Sequence, residues 1–271
     1  MKMKKKRNIL GDTMLVIIGC ISIIPFLYML ITSLKVTYNS FDFSLSLSSL
    51  TFQNYLEIFN NKSFVRYFMN SVFISTCGVI LSLAFSSLAG YAFAKMDFKG
   101  NDKIFFFMIM TLIIPSQVTM IPLYIIMKNL NWINTYWALI LPIPTAFGVF
   151  IMRQAILNIP KELLESARID GYSDFKIFIK IVLPLIKPAI ITLSIFTFMG
   201  AWNEFLWPLI ATTETAMRTL PVGLSTLQTQ YVTNYGSMMA AATITFLPPF
   251  IFYLILQSKF VEGVALSGIK G

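Results

Sequence analysis

The chain of 271 residues is 56% hydrophobic and only 12% charged, with a mean hydropathy of +0.74. A soluble domain carries about twice that charged fraction, so the composition excludes a large soluble core and points to an integral membrane protein. The net charge is +9, histidine is absent, and the two cysteines, Cys20 and Cys77, lie in apolar runs. The commonest metal ligand and general base is therefore missing, and no disulfide, metal site or cofactor is expected. The basic excess has to be read by where it falls, and no nucleic-acid partner is expected.

A membrane span needs about 20 mostly apolar residues. In chain order, six segments meet this: 13–34, 70–94, 104–127, 136–152, 181–210 and 238–257. The first follows "MKMKKKRNILGD"; its apolar run is too long for a signal peptide and "ITSLK" is a poor cleavage site, so it is expected to stay as a span. The second contains "SSLAGYAFA", small residues that let another helix approach closely. The fourth is short unless it runs on to Leu157, and the fifth is long enough to need a tilt or a break near Gly200 or Pro208. A barrel would show alternating strands of about ten residues instead. The expected architecture is one all-α membrane domain over residues 1–271 with six transmembrane helices.

Lysine and arginine set the orientation. With the N-terminus inside, sixteen fall in inside segments and five outside. Both termini and the loop 153–180 are therefore expected in the cytoplasm.

That loop carries an amphipathic stretch. Pro160 suits a helix start and Gly171 a left-handed helix end. Leu163, Leu164 and Ala167 share one face, with Glu162, Glu165 and Arg168 elsewhere. After "GYSD", Ser173 or Asp174 can cap a second helix with Phe175, Phe178 and Ile179 as its apolar stripe. One reading is a connector floating at the lipid headgroups, which Lys176, Lys180 and Lys187 would suit. The other is a protein-docking element, which better accounts for Glu165, Asp170 and the glycine turn.

Two further features bear on function. In "AWNEFLWP", Asn203 and Glu204 fall near the outer interface. They read either as an interfacial anchor, with Trp202 and Trp207 in an aromatic belt, or as the lining of a substrate path. The nearest approach to a phosphate-binding loop is "GVALSGIK", Gly263 to Lys270, which is one residue out of register and has no helix after it. The chain is thus expected to have no ATPase site and to be no enzyme. A stand-alone secondary transporter or channel is the alternative, but neither ionisable residues deep in the spans nor two similar halves are evident.

The segment "ESARIDGYSDFKIFIKIVLPLIKP" resembles the EAA loop of permease subunits of binding-protein-dependent ABC importers. The matches are Glu165, Ala167, Asp170, Gly171, Leu183 and Pro184; Ser166 stands where the pattern has its first alanine, and Tyr172 where a small residue is usual. "NSVFISTCGVILSLAFSSLAGYAFAK", "IPLYIIMKNLNWINTYWALILP", "GAWNEFLWPLI" and "FVEGVALSGIKG" extend the resemblance over nearly the whole chain, to the carbohydrate-uptake branch and its maltose-type G subunits. The resemblance implies a type I importer permease fold with a cytoplasmic coupling helix. It implies a bacterial plasma-membrane location and a heterodimer with a second permease subunit. It further implies two copies of a cytoplasmic ATPase and an external sugar-binding protein. Glu165, Ala167, Asp170 and Gly171 would couple to the ATPase, and Gly268, Lys270 and Gly271 would form a tail reaching it. The solute is expected to be a sugar, with a polyol or glycerophosphodiester as the alternative.

Overall fold

The computed structural model describes residues 9–39, 50–230 and 234–268, with side chains over 11–39, 50–226 and 234–257. Among these residues the chain is helical, and the extended pairing is a single antiparallel bridge between Lys35 and Leu50. The helices in order are α1 (Ile9–Ser33), α2 (Gln53–Asn60), α3 (Lys62–Lys95), α4 (Asn101–Met110), α5 (Ser116–Asn129), α6 (Tyr136–Ile140), α7 (Ala146–Leu157), α8 (Lys161–Ile169), α9 (Asp174–Ile177), α10 (Leu183–Leu185), α11 (Lys187–Asn203), α12 (Leu206–Ala211), α13 (Leu220–Gln230) and α14 (Tyr235–Gly268).

Stretches within α1, α3 and α14 (Gly11–Ser33, Lys62–Lys95 and Tyr235–Gln257) are long and apolar enough to cross a bilayer singly. Two further stretches qualify only as bent pairs. Asn101–Ile113 meets Ser116–Asn129 at 106°, and Asp174–Leu185 meets Lys187–Asn203 at 78°. The segment expected to span at 136–152 is represented by α6 and the shorter apolar helix α7.

Proline explains where the breaks fall. Its ring removes one N–H and clashes with the carbonyl four residues back. Pro115 lies four after Thr111, where α4 tightens into a 3₁₀ turn. Pro208 lies four after Glu204, where the backbone leaves the helix at φ −65° and ψ 125°. The break after α11 therefore comes at Glu204, ahead of Pro208. Gly200, the other candidate, stays helical with open space around it. A second break, at Ile186 two residues ahead of Pro188, was not anticipated.

The chain divides into two compact units. Met1–Val65 with Leu224–Phe246 make the first. Its polar centre is Asn54, fully buried, whose side-chain amide donates to the carbonyls of Ser33 (2.8 Å) and Lys35 (2.7 Å). Ser237 donates to Glu57 at 2.7 Å beside it.

Arg66–Gly223 with Leu247–Gly271 make the second. At one end Asn70, 1% exposed, donates to the carbonyls of Ala216 and Arg218 and accepts from Tyr136. Trp207 is 7% exposed, and its indole N–H donates to the Ala138 carbonyl at 2.8 Å. Trp202 is 1% exposed, between Phe68 and Phe198. Neither tryptophan forms an interfacial belt, because both are packed inside the protein. Trp207→Phe keeps the packing and orphans the Ala138 carbonyl, so it should cost about 1 kcal/mol. The expected readout is a lower thermal midpoint of the purified protein in detergent; an unchanged midpoint would remove that bond from the account.

At the other end of this unit α3 and α7 come very close. A Cβ added to Gly90 would sit 2.7 Å from the Met152 Cβ and 2.9 Å from the Arg153 backbone nitrogen. The same end carries α8 and α9.

Candidate functional site

The short helix α8 is set by its two ends. Pro160 is the N-cap, one residue earlier than a first-turn proline, with φ −57° and ψ 137°. At the far end Gly171 takes φ +80°, a conformation glycine adopts without steric cost. The Gly171 N–H donates to the Arg168 carbonyl and the Tyr172 N–H to the Ala167 carbonyl, both at 3.0 Å. This pair of bonds is a Schellman end, which satisfies carbonyls that the helix leaves open.

Beyond the turn, Ser173 caps α9, accepting from the Lys176 N–H at 3.4 Å. Asp174, the other candidate cap, instead takes Arg168 at 3.0 Å. This bond lifts the already high Arg168 pKa further. Both side chains are about half exposed, and such a pair is worth less than about 1 kcal/mol. It braces the turn. Lys176 lies over the Tyr172 ring at 4.0 Å.

The face that α8 buries is narrower than the sequence implied. Leu164 and Ala167 are 3% and 5% exposed, but Leu163 is 41% exposed. Leu164 and Ala167 sit on a core made by Tyr91 of α3, by Met152 and Ile156 of α7, and by Ile177, Phe178 and Val182. After α9 the expected stripe also shifts: Phe178 is buried, while Phe175 and Ile179 are 66% and 41% exposed. A π-helical turn runs over Phe178–Val182, and the residues buried from there to Ile186 are Phe178, Val182 and Ile186.

Of the four coupling candidates, Ala167 is thus buried beneath the loop, whereas Glu165, Asp170 and Gly171 are exposed. Glu162 and the 87%-exposed Ile169 join them on the outer surface. The tail candidates divide differently. Gly268 ends α14, and Lys270 and Gly271 lie outside the described residues.

Asn203 and Glu204 lie at the opposite end of α11 from the coupling loop. Seventeen helical residues separate the two ends, roughly 25 Å. Both side chains are exposed. Glu204 accepts from the Trp207 N–H at 3.2 Å, capping α12, and Asn203 donates to the Met199 carbonyl at 2.9 Å. Neither is committed to a partner strong enough to remove it from the surface. Among the described residues no group of three His, Cys, Asp or Glu is placed to hold a metal ion.

The structure also brings in residues that the sequence did not single out. Lys95, at the end of α3, donates to the Ile159 carbonyl at 2.6 Å. Arg153 lies 4.1 Å over the Phe105 ring and donates to the Phe93 carbonyl at 3.3 Å. An open cleft of about 830 Å³, lined by Arg153 and the 96–103 turn, lies beside them. In the sequence these cations register only as inside charge.

Comparison with known proteins gives a consistent picture. The family model described as "Binding-protein-dependent transport system inner membrane component" matches residues 82–265. The arabinooligosaccharides transport system permease protein AraQ of Halalkalibacterium halodurans is 38% identical over 279 aligned positions, covering 99% of this chain and all of that protein. The lactose transport system permease protein LacG of Rhizobium radiobacter is 31% identical, covering 97% and 96% respectively. Among solved structures, a bacterial ABC transporter that imports the acidic polysaccharide alginate contains a chain matching 96% of this one, with a TM-score of 0.81 at 23% identity. The fold is therefore that of an all-α ABC importer permease.

Proposed function

Because the chain belongs to the family of binding-protein-dependent transport system inner membrane components, we propose that it forms half of the path of an ATP-driven sugar importer, as a permease subunit in a bacterial plasma membrane. The names of the relatives, which carry arabinooligosaccharides and lactose, support a sugar as the solute. The lysine and arginine bias supports cytoplasmic termini and a cytoplasmic α8. The energy comes from a separate ATPase, present twice, that docks on α8. A second permease subunit completes the path and an external binding protein delivers the solute.

The observation that carries the docking role is the two-sidedness of α8. Its inner face is dry and fixed, while its outer face sets the 87%-exposed Ile169 among Glu162, Glu165 and Asp170. Acidic groups next to exposed apolar surface suit a protein partner better than anionic lipid. A short rigid helix on a packed core passes displacement on as a body. In this reading Glu165 meets a basic group of the ATPase, Asp170 and Gly171 set the angle of the turn, and Ala167 lets α8 lie close to its seat. Asn203 and Glu204 line the outer part of the path, and the tail at Gly268, Lys270 and Gly271 reaches the ATPase.

Glu165→Ala, Gly171→Arg and removal of residues 268–271 test these roles in the complex co-expressed with its ATPase. Gly171 has open space around it, so its substitution costs about 1–2 kcal/mol of backbone strain and no clash. Each variant should insert normally, yet lower ATP hydrolysis stimulated by the loaded binding protein. Full stimulation in Glu165→Ala and Gly171→Arg would overturn the docking role; full stimulation after truncation would overturn that of the tail.

A further inference from the structure

We propose that Lys95 is a positioning residue that ties the entrance of α8 to α3, so that a span remote in sequence moves with the coupling helix. The inference rests on the reading of α8 as the seat of the ATPase. Sequence neighbours of the loop are α7 before it and the α9–α11 segment after it; α3 is neither. Yet the end of α3 meets the loop at two points.

Lys95 is the last residue of α3, and its ammonium donates to the Ile159 carbonyl at 2.6 Å. Ile159 is 6% exposed and directly precedes Pro160, the N-cap of α8. The bond therefore grips the backbone where the chain enters the helix. One turn back, Tyr91 is 3% exposed and packs at a tilt on the Phe178 ring, centroids 5.4 Å apart, under the far side of the loop. Residues four apart lie on one face of a helix, so Tyr91 and Lys95 present a single edge of α3 to both ends of the loop.

The chemistry suits a fastener. A charged donor on a carbonyl gives a short, strong bond. The Gly90 contact with Met152 and Arg153 holds α3 against α7 one turn deeper. Without Lys95 the α3–α7 pair would remain, but the link to the entrance of α8 would be lost.

The test uses the full complex of both permease subunits, the ATPase and the binding protein in proteoliposomes, with ATP and vanadate as the probe. Spin labels placed at Met96 and Lys161 report α3 against α8. In the parent protein the 96–161 distance should stay constant when ATP–vanadate is added. In Lys95→Met it should shift on addition, and Lys95→Arg should restore the constant distance. An unshifted 96–161 distance in Lys95→Met, with a label pair between α8 and the ATPase still in proximity, would overturn the proposal and leave docking at α8 intact. A parent protein in which a label pair between α8 and the ATPase shows no proximity would instead overturn the docking reading. Should Lys95→Met fail to assemble, Lys95→Ala, which also removes the donor, is read in its place by the same criteria.

Discussion

Ala167→Arg is expected to abolish capture of the ATPase while leaving the chain in the membrane. Ala167 is 5% exposed on the seat formed by Tyr91, Ile156, Ile177 and Phe178. None of those side chains offers a counter-charge, and an unpaired charge in such a place costs several kcal/mol. The cheaper outcome is for α8 to lift from its seat so that the guanidinium reaches water. Lifting also strains the Schellman end, because the Ala167 carbonyl accepts the Tyr172 N–H. A displacement worth even 1.4 kcal/mol weakens a docked partner tenfold, so co-purification of the ATPase should fall by at least about that factor. Ala167→Ser, which adds one small atom, should lose far less. Wild-type capture by Ala167→Arg would mean that the position of α8 is not what the ATPase reads.

Gly90→Leu should have the largest effect on the fold itself. A Cβ alone would lie 2.7 Å from the Met152 Cβ and 2.9 Å from a backbone nitrogen, and a backbone atom cannot rotate away. The α3–α7 pair has to separate along its length, at a cost of about 3 kcal/mol or more. Gly90→Ala lies between, because helix propensity returns about 1 kcal/mol of the strain. Gly200→Ala, with nothing within 4 Å, is the control and should be neutral or slightly stabilising. Membrane abundance and monodispersity in detergent measure the series; equal behaviour of Gly90→Leu and the parent would show that the two helices can part freely.

The ends of α8 were legible in the sequence because they depend on local backbone chemistry. Pro160 and Gly171 act through their own dihedral angles, and the structure keeps both as boundaries, with Pro160 displaced by one position. The faces were less legible. Leu163 and Leu164 are adjacent, and spacing alone does not say which of the two turns inward. In the second helix the expected stripe was Phe175, Phe178 and Ile179, and the buried set is Ile177, Phe178, Val182 and Ile186, a neighbouring face that spacing alone does not choose. Trp202 and Trp207 were misplaced for a related reason. Composition marks aromatic residues near an interface as a belt, and only tertiary packing shows that these two are enclosed. Lys95 was counted for topology alone, since its partner is the main chain of a residue 64 positions away.

The breaks at Thr111–Pro115, Ile186 and Glu204 carry one more consequence. Each interruption leaves peptide carbonyls and N–H groups outside the regular helical ladder. Hydrocarbon cannot satisfy them, so irregular backbone at membrane depth is tolerated only where protein encloses it or water reaches it. In a chain with so few charged residues, main-chain groups freed at these breaks add polar surface that protein must enclose or water must reach.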